Sequence, residues 1–397
     1  MTEANPKTVY LKKGREASLL RRHPWVFSGG IERIVGDPAT GDAVRVVDNK
    51  GALLGVGAYS PSSQIRVRLF SFADTVIDRN FFATRIARAF AKRTLDNPEH
   101  TACRLIYGES DHIPGLIVDK YNDVLVCQFQ FAGLEPWKAT LVELLVQASG
   151  CTAVYERSDT SSREKEGLTQ TQGILAGKLP PMPLMINENG MHLNVDVTSG
   201  QKTGFFLDQA DNRQYVRQCS AGKSVLNCFS YTGGFSVAAL LGGATRVVSV
   251  DSSAPALALA ATNLEANGID TTRHVAVDGN VFNILREYQS GSERFDLIIL
   301  DPPKFAENKN QVTKAARAYK DLALQASRIL NPGGLLITFS CSGSIDLNLF
   351  QKITFDALLD AGRQGEIIKY LHQGSDHPIA LEFPESQYLK GLVCRVA

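Results

Sequence analysis

Two short apolar runs stand out along the chain. Phe295-Asp296-Leu297-Ile298-Ile299-Leu300 and Gly334-Leu335-Leu336-Ile337-Thr338-Phe339-Ser340 are rich in branched residues and bounded by Gly or Pro. Runs of this kind read as strands buried on both faces. Between them, Val312 to Leu330 has helical periodicity, and Asn331-Pro332-Gly333-Gly334 is read as its stop. The pattern predicts a β-α-β unit. Ligands of such sheets collect outside the carboxyl ends of the strands. Asp301 and Cys341 follow the two runs directly, so a carboxylate and a thiol are expected to face one crevice.

The same alternation continues from residue 186 onward. Strands are expected near 224–228, 246–251, 274–278, 295–300, 335–340, 366–371 and 389–396, after a hairpin over 185–196. Strands alternating with helices make this part α/β. The last two strands lack a long intervening helix, which predicts a final strand inserted antiparallel.

Residues 1 to about 80 read as all-β. Val9-Leu11, Ala43-Val47, Leu53-Gly57 and Ile65-Leu69 are separated by turn residues, and a short helix is expected over Glu16 to Arg22. Residues 81–185 read as α+β. Helices are expected over Asp78 to Lys92, ended by Asn97-Pro98, and over Pro136 to Ser149. Strands are expected over Ala102-Tyr107, Gly115-Asp119, Val124-Phe129 and Val154-Arg157. The polar stretch Ser158 to Leu168 reads as a loop with a functional role. The expected domains are therefore 1–80, 81–185 and 186–397.

Charge adds one distinction. The 397 residues carry a net charge of +1, but residues 1–80 hold 12 Lys and Arg against 8 Asp and Glu, and the rest is slightly acidic. The N-terminal piece also interleaves Lys12, Lys13, Arg15, Arg21, Arg22, His23, Trp25 and Phe27. Cations among rings suit a phosphate backbone with unstacked bases. Equally, a small barrel could bury Trp25 and Phe27 and leave the arginines at its surface. No run approaches the roughly 18 apolar residues of a membrane span. The polar start lacks the apolar core of a signal peptide, and a cytoplasmic protein is expected. Seven widely spaced cysteines, odd in number and without a CxxC pair, point to free thiols, with no disulfide framework and no metal site.

Chemistry gathers at the strand ends. Ser224 to Phe229 runs into Ser230-Tyr231-Thr232-Gly233-Gly234 and then a helix. Glycine there lets backbone approach a ligand, and the helix start offers free amides. The turn is not GxGxxG, which disfavours a dinucleotide. Asp251 ends the second strand, where a carboxylate can accept from ribose hydroxyls. Asp278 ends the third and can receive an adenine amino group, and Asp301-Pro302-Pro303 follows the fourth. Together these resemble a class I S-adenosylmethionine-dependent methyltransferase. Ahead of the first strand, Phe206 is a candidate to stack on adenine, with Asp208 and Arg213 ordering the turn near the methionine end.

Cys341 narrows the chemistry. Carbon 5 of a pyrimidine is a poor nucleophile until a thiolate adds at carbon 6. That route needs a cysteine beside the ring and an acid on the ring's nitrogen edge. The other six cysteines lie in apolar surroundings suited to structural thiols.

At this point TSGQKTGFFLDQADNR (198–213), LNCFSYTGGFSVAAL (226–240), SVDSS (249–253), LDPPKFAENK (300–309), TFSCSG (338–343) and YLKGLVCRV (388–396) resemble one bacterial family over essentially the whole chain. It is the ribosomal RNA large subunit methyltransferase I family, which makes 5-methylcytosine in large-subunit RNA. RHPWVFSGGI (22–31) and the GxGxYxP run (55–61) resemble its N-terminal PUA domain. The resemblance implies an all-β PUA-like barrel, a central α+β domain and a Rossmann-like α/β methyltransferase domain. It implies Cys341 as nucleophile and Asp301 as its ring-binding partner. It also implies S-adenosyl-L-methionine contacts around Asn227, Phe229, Tyr231, Gly233, Asp251, Ser252 and Asp278, and ribosomal RNA as partner. One departure matters. Better-known RNA cytosine methyltransferases carry a second cysteine after strand four, and DPPK has none. The group that removes the carbon 5 proton stays unassigned, with Lys304 a guess.

Two alternatives stay open. A methyltransferase acting on a base nitrogen would need Asp301 but no thiol. A non-catalytic RNA-binding assembly factor would hold the cofactor structurally. The sequence also leaves open whether the chain is a monomer or a homodimer.

Overall fold

The computed structural model describes residues 7–93 and 99–397. The Asn97-Pro98 break lies outside the described residues. By internal contacts the chain divides into two compact units: Met1–Ile186 with Val195–Leu207 and Ser375–Ser386, and Asn187–Asn194 with Asp208–Gly374 and Gln387–Ala397.

In the first unit, Thr8–Leu11 (β1), Trp25–Phe27 (β2), Ile31–Val35 (β3), Ala43–Val47 (β4), Leu53–Tyr59 (β5) and Ile65–Ser71 (β6) form a sheet of order β2-β6-β5-β4-β1-β3. The short helix is Ala17–Leu20 (α1). The two strands without a sequence signal are β2, only three residues long, and β3, whose centre is charged. Val9, Leu11, Val26, Val44, Val46, Val67 and Leu69 build the core of this sheet. A second core belongs to Ala102–Tyr107 (β7), Leu116–Tyr121 (β8), Val124–Phe129 (β9), Ala153–Ser158 (β10) and Thr171–Ala176 (β11), ordered β11-β10-β9-β8-β7. It is covered by Arg79–Phe90 (α2) and Lys138–Ser149 (α3).

The basic-aromatic cluster divides. Trp25 is half-buried; its Nε1 donates to Glu109 Oε1 at 2.7 Å, and the Arg68 guanidinium lies 5.2 Å from its ring centre. Phe27 is 52% exposed, so it remains free to stack. The polar stretch 158–168 is not a plain loop: it contains a short helix, Ser161–Lys165 (α4). Within it, the buried Arg163 donates to the carbonyls of Phe129 and Thr169 and to Glu135. A buried guanidinium needs such acceptors, which gives this stretch a structural job.

Leu184–Glu188 (β12) and Met191–Val195 (β13) form the expected hairpin. The second unit is then a seven-stranded sheet with helices between its strands. In chain order these are Ala210–Cys219 (α5), Ser224–Cys228 (β14), Gly234–Leu241 (α6), Arg246–Asp251 (β15), Ala254–Ala266 (α7), His274–Asp278 (β16) and Val281–Ser290 (α8). Phe295–Leu300 (β17), Val312–Ile329 (α9), Leu330–Ser340 (β18), Leu347–Asp360 (α10), Gly365–His372 (β19) and Lys390–Val396 (β20) complete it. The sheet order is β16-β15-β14-β17-β18-β20-β19, with β20 antiparallel to both neighbours. The inserted final strand is therefore observed.

Local sequence explains these elements. In α9, Ala315, Tyr319, Leu322, Ala326 and Ile329 are buried at three- and four-residue spacing, so one stripe faces the sheet. Asp346 caps α10 by accepting from Leu349 N at 2.8 Å. Helix α9 ends at Ile329, just before the Asn331-Gly334 run, but that run is not a linker. It lies inside β18, where the register against β17 shifts. Asn331 Nδ2 donates to Asp296 Oδ1 at 2.7 Å across that irregularity. Gly391 is required by close approach: a Cβ there would meet the Phe339 ring at 2.6 Å. Among the described residues no helix is long and apolar enough to cross a membrane.

Candidate active site

Five adjacent parallel strands, β16-β15-β14-β17-β18, bring the polar candidates of the second unit to one edge. Beyond β14 the backbone turns with Phe229, Tyr231 and Gly233 all left-handed, at φ 60°, 46° and 77°. Such alternation aims successive amides into one concavity that favours partial negative charge. Gly233 has a further reason to be glycine, since a Cβ would lie 2.8 Å from the Ala260 Cβ. Asp251 fastens the turn. Its Oδ2 accepts from Tyr231 N at 2.8 Å and its Oδ1 from Ser253 N at 2.9 Å. A carboxylate offers about four acceptor sites, so Asp251 has capacity left for hydroxyl donors.

Asp278 pairs in register with Asp251 and is exposed, as is Ser252. Asn227 is fully buried on β14 and donates to Ser236 Oγ at 2.8 Å. The buried atoms Asn227 Oδ1, Ser230 Oγ and Thr232 Oγ1 have no hydrogen-bond partner among the described residues. Buried polar atoms are normally satisfied, so this group suits a polar ligand at the turn. Phe206 falls in the first unit, where it is half-buried.

Asp208 and Arg213 do more in the fold than their motif suggested. Asp208 accepts from Tyr388 Oη, and its carbonyl accepts from Gly374 N at 2.9 Å. Arg213 forms a two-pronged pair with Glu188, at 2.6 and 2.7 Å, with both side chains almost wholly buried. Removing one partner leaves the other charge buried and uncompensated. Arg213→Ala is therefore expected to lower stability by about 3–5 kcal/mol, read by urea denaturation.

Asp301 follows β17 and accepts from Gln209 Nε2 at 2.9 Å. Gln209 is itself held by Asn212, whose Nδ2 donates to Gln209 Oε1 at 2.6 Å and to the His372 carbonyl at 3.1 Å. Burial, then the charge of Asp208, pushes the Asp301 carboxyl up to about 7, against the Gln209 hydrogen bond and the Arg213 charge. It can thus exist as a neutral acid near neutral pH. Gln209 and Asn212 were not singled out from the sequence; the polar DQADNR run was their only signal.

Cys341 follows β18, which pairs with β17 in parallel, Leu300 opposite Thr338. Continuing that register puts Asp301 level with Phe339 and Cys341 two residues beyond. With strands about 4.8 Å apart and about 3.3 Å per residue, the two Cα atoms are about 8 Å apart. The strands that Asp301 and Cys341 follow are thus direct neighbours in the sheet. Among the described residues no cysteine is in a disulfide. Burial raises the thiols of Cys103 and Cys394 to about 12 and those of Cys127 and Cys228 further, which suits inert core residues. Cys341 is only half-buried. Around it lie Ser340, Ser342, Tyr319 and Lys390. Tyr319 Oη and Ser342 Oγ are 3.1 Å apart, and Lys390 Nζ donates to the Ser342 carbonyl at 2.8 Å. Lys304 is exposed in the loop after β17.

Comparison with known proteins covers the whole chain. Residues 172–366 match the S-adenosylmethionine-dependent methyltransferase family model, and residues 9–72 match a PUA-like domain. A ribosomal RNA large subunit methyltransferase I of Shewanella denitrificans is 52% identical, covering 98% of this chain and 99% of that protein. One of the same name from Photobacterium profundum is 51% identical, with the same coverage. Among solved structures, a chain described as a methyltransferase in complex with SAH is similar, with TM-score 0.86 and 25% identity over 98% of this chain and 99% of that one. A SAM-dependent methyltransferase structure from Streptococcus mutans has TM-score 0.85 at 25% identity, with the same coverage.

Proposed function

The chain belongs to the ribosomal RNA large subunit methyltransferase I family and is an S-adenosylmethionine-dependent methyltransferase of large-subunit RNA, and from that premise we propose that it methylates carbon 5 of a cytosine through a covalent Cys341 adduct. The observation that carries this reading is the adjacency of β17 and β18, which ends a neutralisable carboxyl and a half-exposed thiol beside each other.

In this reading the Cys341 thiolate bonds to carbon 6 of the ring while the neutral Asp301 carboxyl gives its proton to the ring's N3. The electron pair displaced from the C5–C6 double bond makes carbon 5 nucleophilic. S-adenosylmethionine, when bound, supplies an electrophilic methyl group. A general base or water then takes the carbon 5 proton, the C–H electron pair restores the C5–C6 double bond as the S–C6 bond breaks with its electrons returning to sulfur, and the N3 proton returns to Asp301. Gln209 keeps the carboxyl aimed. Asp251, Asp278 and Ser252 suit ribose and adenine edges, Asn227 at the end of β14 and the left-handed turn over Phe229, Tyr231 and Gly233 suit the amino-acid end, and Asp208 and Arg213 belong to the same cofactor assignment.

An enzyme that modifies a base must expose it from the stack. Affinity in this proposal comes from phosphate contacts of the basic PUA-like region and from stacking on Phe27; selection comes at the crevice. We place the protein in the cytoplasm, where ribosomal RNA is made. Mass-spectrometric mapping of large-subunit RNA treated with enzyme and labelled cofactor tests the reaction. A methyl group on cytosine C5 is expected. A methyl group on a ring nitrogen, or none on any RNA, would sink the proposal.

A further inference from the structure

The covalent route requires Cys341 as a thiolate, and an ordinary thiol is mostly protonated at neutral pH. We infer that Lys390 supplies the charge that holds it so: its ammonium lies alongside Cys341 and forms a thiolate–ammonium pair with it. This inference rests on the covalent reading above and deepens it.

The placement is set by backbone pairing. Lys390 opens β20 directly opposite Ser340, the residue before Cys341. Its Nζ reaches past to the carbonyl of Ser342, the residue after Cys341, at 2.8 Å. The side chain therefore runs along the peptide that carries the thiol. It is 7% exposed, and the group its Nζ donates to is a neutral backbone carbonyl. A buried ammonium that meets only a neutral carbonyl is electrostatically incomplete, and a neighbouring anion would complete it.

The charges around the pair are few. Lys390 comes from β20, the hydroxyl of Tyr319 from α9, Lys304 from the loop after β17, and Asp346 from the cap of α10. Burial lowers the Lys390 ammonium to about 8; the Cys341 charge opposes that most, then Asp346, while Lys304 reinforces it. Burial raises Tyr319, so its hydroxyl stays a neutral donor. A proton can pass from the Cys341 thiol to a neutral Lys390 amine. The sulfur keeps the electron pair of the S–H bond, and the pair forms without any other reactant.

The test uses full-length protein without RNA. Iodoacetamide alkylation of the Cys341 peptide is followed by mass spectrometry from pH 5 to 10, for wild type, Lys390→Met and Lys390→Arg. Wild type is expected to show an apparent pKa below the ordinary thiol value of about 8.5. Lys390→Met should move it up by at least about one unit, slowing alkylation at pH 7 about tenfold, and Lys390→Arg should restore most of that rate. An unchanged Cys341 profile in Lys390→Met overturns the inference. So does a wild-type profile at or above the ordinary value, which needs no variant to fold. Because alkylation involves no methyl transfer, this failure is separate from that of the covalent reading, which falls if Cys341→Ala still methylates RNA.

Discussion

Cys341→Ala is expected to reduce methyl transfer by at least about 10⁴-fold while leaving cofactor affinity unchanged. Nucleophile removal elsewhere reaches about 10⁶-fold because no second group can take over the covalent step. The same logic holds here: no other cysteine follows a strand of this site, since Cys228 and Cys394 are buried within β14 and β20. Single-turnover transfer from tritiated cofactor gives the rate, and calorimetry gives the cofactor affinity. A companion measurement uses RNA in which the target cytosine is replaced by 5-azacytosine. Wild type should form an adduct that survives denaturation, and Cys341→Ala should not. Retention of more than a tenth of the activity in the variant would favour the nitrogen methyltransferase.

Asp301→Asn is the second large effect, a fall in kcat of about 10²–10⁴-fold, the usual range for a positioned acid. The amide can still hydrogen-bond the ring, so RNA affinity should change little. It has no proton to give, so the loss falls on the chemical step. The pH dependence carries more information. With the Asp301 carboxyl raised to about 7, the acid form is abundant below that pH and depleted above it. Wild-type kcat should therefore fall on the alkaline side, and Asp301→Asn should lose that limb. Stability follows the same preference. A carboxyl raised from 3.8 to about 7 in the folded state binds more protons folded than unfolded between those values. Its contribution is full below the unfolded value and is lost as pH rises through about 7. Asp301→Asn should thus melt higher than wild type at pH 8, with the difference shrinking toward pH 4. Equal melting differences at pH 4 and pH 8 would show that the carboxyl is not raised.

The strands of the second unit were legible because a parallel sheet buried on both faces demands continuous apolar runs such as Phe295 to Leu300. The inserted last strand was legible for a related reason: no long helix separates 366–371 from 389–396, and a parallel crossover is usually made by one. Asp301 and Cys341 were visible because polar groups directly after such runs fall at the strand ends. Gln209, Asn212 and Lys390 were not visible as neighbours of Asp301 and Cys341. Each reaches the site from an element distant in sequence. Gln209 meets Asp301 across 92 positions and Lys390 meets Ser342 across 48. Arg213 was legible as a charge beside an aromatic loop, but nothing local announced its buried partner Glu188.

By itself, then, the order of residues determined which strands the second unit contains, where their polar ends lie and which side chains those ends carry, because periodicity and turn chemistry are local properties of a chain. The tertiary structure decided what those atoms are able to do. The Asp301 carboxyl is raised toward neutral pH only because burial and Asp208 oppose its charge, and Lys390 comes opposite Ser340 only because β20 inserts beside β18. Both effects depend on low local dielectric and on distances of a few ångströms between residues far apart in the chain, and folding alone sets these.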